Sequence, residues 1–510
     1  MMKFQNYIAT FLIGLGLMGC NNTLDEINTN PDATTEVTPS LLATGVLLDM
    51  TQLDGYPEKD LYGSGFIIKQ LTWGERVHSY IYNIFDRASF ASYKSLLNAQ
   101  KMVECAPEDE KNAYDALAHF VKAYRLFYVS MRVGDIPYED ALKGEEGLIK
   151  PTYNTQKEVM QFVLNDLEKS YELFSAAKPF EGDPILNGDI EKWKKVVTAF
   201  ELKVLMNLSH RESDTDLRIK ERFASLVASR PLMESNSDNF QLVYADKSAT
   251  VYPLHYTQVK HAGYTMLTNM LIDKFKETED PRLFYYAEPA ASKLNEGLAS
   301  SDWDAYIGVD PSDPYEVIKM AFTTGEFCGL NHRYTDLPTG QPLIHVGYSE
   351  QNFILAEAVV RGWISGDASA YYKKAIRGSL DFISENTPDE EYYHHGHPLN
   401  EEAKSAFLES SKIQLGSDKE ANIEKIITQR YLDAFMEYPI DPYYDYRRTG
   451  YPKLPINVET NQNPVHDKIP VRWMYPKSEY DYNAENVVDA VARQYGGVDD
   501  INKEMWILQK

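Results

Sequence analysis

Three successive amphipathic segments constrain this chain more than any other feature of it. Ala113, Leu117, Phe120, Tyr124, Phe127 and Met131 recur at three- and four-residue steps, which lays them on one face of a helix. Gly134-Asp135-Ile136-Pro137 then ends that helix, because proline removes a donor and restricts the residue before it. Thr155-Gln156-Lys157-Glu158 is a capping box that opens a second helix. Its stripe is Val159, Phe162, Val163, Leu167, Tyr171 and Phe174. A third helix runs from about Ile190 to His210, with Trp193, Val196, Val197, Phe200, Val204 and Leu208 inward. Trp193 reads as core, not as a binding residue.

The pattern returns towards the C-terminus. Ser349 to Arg361 is a helix rich in small residues, Gly362 to Gly366 breaks it, and Asp367 caps a partner helix through Leu380. A last helix covers about Asn422 to Tyr438. Such pairs predict a mostly α-helical fold of tetratricopeptide-like units, although no regular 34-residue period is visible. Between the pairs lie long irregular stretches, Glu212 to Gly263, Glu288 to Pro342 and Pro452 to the end. Long loops on a rigid scaffold are where binding sites concentrate.

Charge narrows the partners. Lys and Arg number 51 against 76 Asp and Glu, a net charge of −25, which repels a phosphate backbone and excludes nucleic acid. The N-terminus points to a membrane surface instead. After Lys3 comes an apolar run, Ile8 to Leu17, too short for a bilayer span of about 20 residues. It ends in Leu17-Met18-Gly19-Cys20, the lipobox pattern, so residues 1–19 read as a lipoprotein signal peptide. Acylated Cys20 would then anchor the chain without a membrane span. Residues 20–40 read as lipidated Cys and polar tether, and 41–510 as a single domain. Cys105 and Cys328 remain. Their separation neither supports nor excludes pairing, and two small buried thiols is the preferred reading.

Eight short motifs in order then make the chain similar to one family. They are Ile27-Asn28-Thr29-Asn30-Pro31 with Val37-Thr38-Pro39; Gly134-Asp135-Ile136-Pro137-Tyr138; Pro151-Thr152-Tyr153-Asn154 leading to Leu164-Asn165-Asp166-Leu167-Glu168; and Gly188-Asp189 before Lys192-Trp193. Asp280-Pro281-Arg282-Leu283, Leu355-Ala356-Glu357-Ala358, Tyr446-Arg447-Arg448-Thr449-Gly450-Tyr451-Pro452 and Ile469-Pro470-Val471-Arg472 complete the set. Behind a lipobox, this series resembles the SusD-like (SusD/RagB) outer-membrane lipoproteins, over almost the whole chain. The resemblance implies about four tetratricopeptide-like helix pairs as scaffold, with loop insertions forming the ligand face. It implies a SusC-like TonB-dependent barrel as partner, and an oligosaccharide or other large nutrient as ligand. It implies lipid-anchored residence at the outer membrane, facing outward. It implies no catalysis and no cofactor. Peptide binding, or a scaffold role in the transporter complex without glycan affinity, are the alternatives.

Sugar binding needs flat apolar faces flanked by planar polar groups. Two stretches off the helical stripes offer them. One is Trp73-Gly74-Glu75-Arg76 with His78, Tyr80 and Tyr82; the other is Asp302-Trp303-Asp304-Ala305-Tyr306 with Asp310, Asp313 and Tyr315. Trp73, Arg76, Tyr80, Tyr82, Trp303, Tyr306 and Tyr315 are therefore the candidate ligand residues. Metal binding is not expected. His394-His395-Gly396-His397 lacks the spacing of closed sites, and the 302–313 loop lacks the Asp-x-Asp-x-Asp-Gly order of a calcium loop. A glycoside hydrolase would need only a carboxylate pair, which so acidic a chain always offers. No Gly-x-Ser-x-Gly elbow, phosphate loop or His-Glu-x-x-His helix is present.

Overall fold

In the computed structural model, which describes residues 37–52, 57–258, 262–438 and 440–509, each periodic segment is a helix. Cys20, the polar stretch up to residue 36 and the first motif up to Pro31 lie outside the described residues. Helices of nine residues or more are α1 Pro39–Thr51, α2 Pro57–Ile67, α3 Tyr93–Cys105, α4 Lys111–Val133, α5 Gln156–Ser175, α6 Ile190–Asn207 and α7 Ile219–Ser229. They continue as α8 Asn269–Thr278, α9 Tyr315–Thr324, α10 Tyr348–Arg361, α11 Ala368–Glu385, α12 Glu401–Glu409, α13 Lys419–Asp433, α14 Asp441–Thr449 and α15 Ala484–Tyr495. The strands are short: β1 Leu71–Trp73 pairs antiparallel with β3 Thr265–Leu267, and β2 Phe240–Leu242 with β4 Leu343–Val346.

Local signals set the helix ends. Thr155 and Glu158 form the reciprocal capping box of α5, with Thr155 N–H donating to Glu158 at 2.8 Å and Glu158 N–H donating to Thr155 Oγ1 at 3.3 Å. Asp189 caps α6 and Asp367 caps α11. Gly134 ends α4 at φ +96, and a Cβ there would lie 2.1 Å from the Gln494 side chain of α15, so only glycine fits. The last helix ends earlier than its apolar stripe suggests. After Asp433 the chain turns sharply, with Met436 and Tyr438 at positive φ. Three stretches that read as irregular contain helices, α7, α9 and α15. They run to only 10–12 residues, too short for their periodicity to stand out from the loops around them.

Packing follows the stripes. The α4 face meets α5, α5 meets α6, α10 meets α11, and α13 lies against α10. One continuous apolar cluster extends from Ala43 to Ile507. Trp193 is fully buried within it, stacked on Phe174 at 5.5 Å. Its indole N–H donates to Asp183 at 2.8 Å. Cys105 and Cys328 are both free thiols. Cys328 is buried as expected, but Cys105, in the last turn of α3, is only half-buried.

A chain of buried ion pairs ties the C-terminal helices to the scaffold. Lys203 of α6 bridges Glu350 at 2.8 Å and Asp441 at 3.0 Å. Arg430 joins Glu350 at 2.6 Å to Asp445 at 2.9 Å. Arg448 joins Asp445 to Glu357, which also takes Arg361 at 2.7 Å. Arg447 donates to the carbonyls of Met131 and Val471 at 2.9 and 2.7 Å. The motif arginines are structural anchors, because each buried charge needs a partner to offset its desolvation.

Candidate functional site

The two candidate stretches meet in the structure. Trp73 pairs with Thr265 across β1 and β3, and the next residue, Gly74, donates its N–H to the Tyr264 carbonyl at 2.9 Å. Tyr315, at the start of α9, donates its hydroxyl to the carbonyls of Gly74 at 3.2 Å and Glu75 at 2.5 Å. Tyr82 donates to the Asp313 carbonyl at 2.7 Å. Tyr82 and Tyr315 are thus clips that bind the early segment to the later loop. A Cβ at Gly74 would lie 2.4 Å from the Phe322 ring, so that ring rests on bare backbone. Phe322 in turn meets Tyr264 at 5.7 Å and stacks on Phe327 at 5.4 Å.

Burial separates the candidates. Trp73 is 8% exposed and packs edge-on against Tyr62 at 5.5 Å and against Phe66 at 5.8 Å. Tyr306 is fully buried against Phe284, its hydroxyl donating to the Ser300 carbonyl at 2.9 Å. Neither ring presents a face to solvent, which corrects the expectation that they stack on ligand. Their aromatic area went to the core because burial there stabilises the fold. Tyr82 is buried too, at 6% exposed. Arg76 is exposed, and Tyr80 is half-buried between His78 and Phe85. Trp303 is half-buried, edge-on to Phe284 at 4.7 Å and 6.0 Å from His397.

Beside this junction lies a depression of about 360 Å³, lined by Tyr256, Gly263, Thr265, His332, Thr335 and Asp336 among others. Sequence reasoning missed Tyr256 in its lining and Tyr392 beside it. Tyr256 is 65% exposed and held by its N–H donating to the Thr335 carbonyl at 2.9 Å. Tyr392, 49% exposed, stacks flat on His332 with ring centroids 4.6 Å apart and planes at 9°. Its hydroxyl donates to Asp336 at 2.9 Å. Desolvation and that hydrogen bond to Asp336 push the phenol up to about 12, so it stays a donor at neutral pH. His332 also lies 3.5 Å from Glu288, which is 3.3 Å from His395. Contacts run from there to His397 and Trp303 through the His395–Gly396–His397 turn. Two open aromatic faces beside carboxylates are the chemistry that recognises a polyhydroxylated ring. The signal in the sequence is the Tyr392-Tyr393 pair beside the histidine cluster. Among the described residues no group of three or more His, Cys, Asp or Glu could hold a metal ion. No described helix is long and apolar enough to cross a membrane.

Comparison with known proteins agrees with this architecture. The crystal structure of a SusD homolog from Bacteroides fragilis is 63% identical, with a TM-score of 0.90 over 93% of this chain and 100% of that one. A Bacteroides vulgatus protein, described as a candidate outer-membrane nutrient-binding protein, is 34% identical with a TM-score of 0.84 over the same shares. A second Bacteroides fragilis SusD homolog is also 34% identical, with a TM-score of 0.82 over 93% of this chain and all of that one. No curated protein matches the chain. The family profile described as "Starch-binding associating with outer membrane" matches residues 31–476. With that span and those identities, the chain belongs to the SusD-like family of outer-membrane-associated nutrient-binding proteins.

Proposed function

We propose that this protein captures an oligosaccharide on the Tyr256–Tyr392 depression and delivers it to a TonB-dependent barrel, without cleaving it. One observation carries the reading: the exposed Tyr256 lines one depression with His332 and Asp336, and the exposed Tyr392 beside it stacks on His332 and donates to Asp336. Exposed aromatic faces cost solvation unless a partner covers them, and a sugar's C–H face does so. The Tyr315 hydroxyl clips Gly74, whose N–H donates to the Tyr264 carbonyl beside the lining residues Gly263 and Thr265, and the exposed Arg76 and half-buried Trp303 are proposed as further contacts. The lipobox at Cys20 supports a lipid anchor on the outer face of the membrane, which would keep the protein beside its barrel.

The test is a glycan-array screen of the protein lacking residues 1–20, followed by calorimetry on each hit. Binding without product release, lost on Tyr392→Ala, supports capture. Product release from the bound glycan would make it an enzyme. No glycan bound at all would leave a peptide ligand or a scaffold role. Crosslinking in cells that traps no barrel would remove the delivery step.

A further inference from the structure

We infer that the cavity between α1, α4, β4 and the start of α14 is a second binding site, for a small polyhydroxylated carboxylate of hexuronic-acid size. The cavity measures about 300 Å³ and shares no lining residue with the surface depression. An apolar cavity of about 150 Å³ already holds benzene, so a pyranose ring bearing a carboxylate fits this volume. Its walls mix apolar residues such as Met50, Val129 and Ile344 with polar ones. Tyr124 and Tyr128, with ring centroids 4.9 Å apart, form one side, and Ser89 and Ser92 add hydroxyls.

Charge selects the ligand class. Arg125 is answered by Asp49 at 2.6 Å. Asp441 is answered by Lys203 at 3.0 Å, and Tyr128 donates its hydroxyl to both Asp441 oxygens at 3.1 Å. His345 contacts the Thr51 carbonyl through Nε2 at 3.0 Å, so that nitrogen donates and Nδ1 accepts the Tyr124 hydroxyl at 3.3 Å. Burial holds this imidazole neutral, at about 4. Arg132 differs from these in having no carboxylate partner. Among the described residues no ion pair includes it; its guanidinium hydrogen-bonds the Tyr444 hydroxyl and lies 5.8 Å over the Trp473 ring, and its buried Nε has no hydrogen-bond partner. A guanidinium with no carboxylate to neutralise it, among hydroxyls and tyrosine rings, suits a planar carboxylate on a polyhydroxylated ring.

The test titrates the full chain, purified in detergent, with D-glucuronate, with D-glucose as neutral control and acetate as bare carboxylate. Calorimetry should show glucuronate binding more tightly than either control, and Arg132→Gln should weaken it by about tenfold or more. Arg132→Lys, which keeps the charge without the fork, should fall between. Hydrogen exchange on the unmodified protein should show glucuronate protecting 124–132 and 343–346, a readout that survives if a variant misfolds. Glucose binding as tightly as glucuronate, or no glucuronate binding at millimolar concentration, overturns the proposal. So does glucuronate binding lost on Tyr392→Ala but kept on Arg132→Gln, because the ligand then sits in the surface depression.

Discussion

Replacing Asp183 by alanine should destabilise the protein by about 3–5 kcal/mol while sparing the ligand surface. The carboxylate sits in the connection before α6 and is 7% exposed. Oδ1 accepts the N–H groups of Ile185 at 2.9 Å and Leu186 at 3.0 Å. Oδ2 accepts Gly188 N–H at 2.9 Å and the Trp193 indole at 2.8 Å. Of these donors the Ile185 region is half-exposed and can turn to water, whereas Leu186, Gly188 and Trp193 are buried. Each buried donor left unpaired costs about 1–3 kcal/mol, and local relaxation recovers part of the sum. Unfolding entropy of about 2.1 cal/mol/K per residue, over about 470 residues, makes 1 kcal/mol worth about 1 °C in Tm. Calorimetric unfolding should therefore drop by about 3–5 °C. Trp193→Phe alone should cost about 1–2 kcal/mol, and in the Asp183→Ala background its cost should shrink, since their shared bond is already gone. An Asp183→Ala variant within about 1 °C of the parent would refute the reasoning, as would strict additivity of the two changes.

Tyr392→Ala should weaken the array hit by about 10–30-fold, roughly 1.4–2 kcal/mol, while Tyr392→Phe, which keeps the ring, should change it less than about threefold by calorimetry. Trp303→Ala should weaken the same ligand by about tenfold, or roughly 1.4 kcal/mol, and an unchanged affinity would remove it from the surface. Burial alone would raise Glu357, but the Arg448 and Arg361 guanidiniums override it and hold the carboxyl at about 2, against 4.5 in a free chain. Its stabilisation is thus complete above pH 4.5 and lost as pH falls through about 2; Glu357→Gln should remove that acid-limb loss in chemical denaturation and cost about 3–5 kcal/mol near neutral pH. Cys20→Ala should abolish incorporation of labelled palmitate and release the protein from the membrane fraction.

The scaffold was legible because its signals are local. The stripes of α4, α5 and α6, the Thr155 capping box and the Asp367 cap each act within one turn of helix, so the residues that cause them are adjacent in sequence. The proposed ligand surface is not built that way. Tyr256, His332 with Asp336, and Tyr392 come from three separate segments, two of them single-turn helices, and meet only after the long helices have packed. An exposed tyrosine and a buried one are the same letter, and neighbours in the sequence do not say which is which. Trp73 and Tyr306 look like platforms when read with the acids beside them, yet tertiary contacts with Tyr62 and Phe284 claim their faces. Tyr82 and Tyr315 lie where the two stretches meet, and their hydroxyls clip backbone carbonyls.

The motifs that place the chain in its family explain why ligand and family are read from different residues. Asp135 accepts the Gln156 N–H at 2.8 Å and the Arg493 guanidinium. Arg282 is fully buried on Asp280, Ser379 and Gln429. Glu357, Arg448 and Arg472 lie in buried ion pairs. Removing one member of a fully buried pair such as Asp280–Arg282 or Glu357–Arg448 strands the other in a low-dielectric interior, at a cost of about 3–5 kcal/mol, so such residues are costly to change singly. The depression is held more loosely. Tyr256 and Tyr392 are open to solvent; exchanging the Tyr256 side chain leaves its backbone N–H bond to Thr335 in place and removes a ring contact with His255, and exchanging Tyr392 removes one carboxylate bond and its stack on His332. Residues that the scaffold does not hold are free to follow the ligand. It follows that high identity to a SusD homolog transfers the helical frame to this chain, whereas the specificity proposed for the depression has to be measured on Tyr256, His332, Asp336 and Tyr392 themselves.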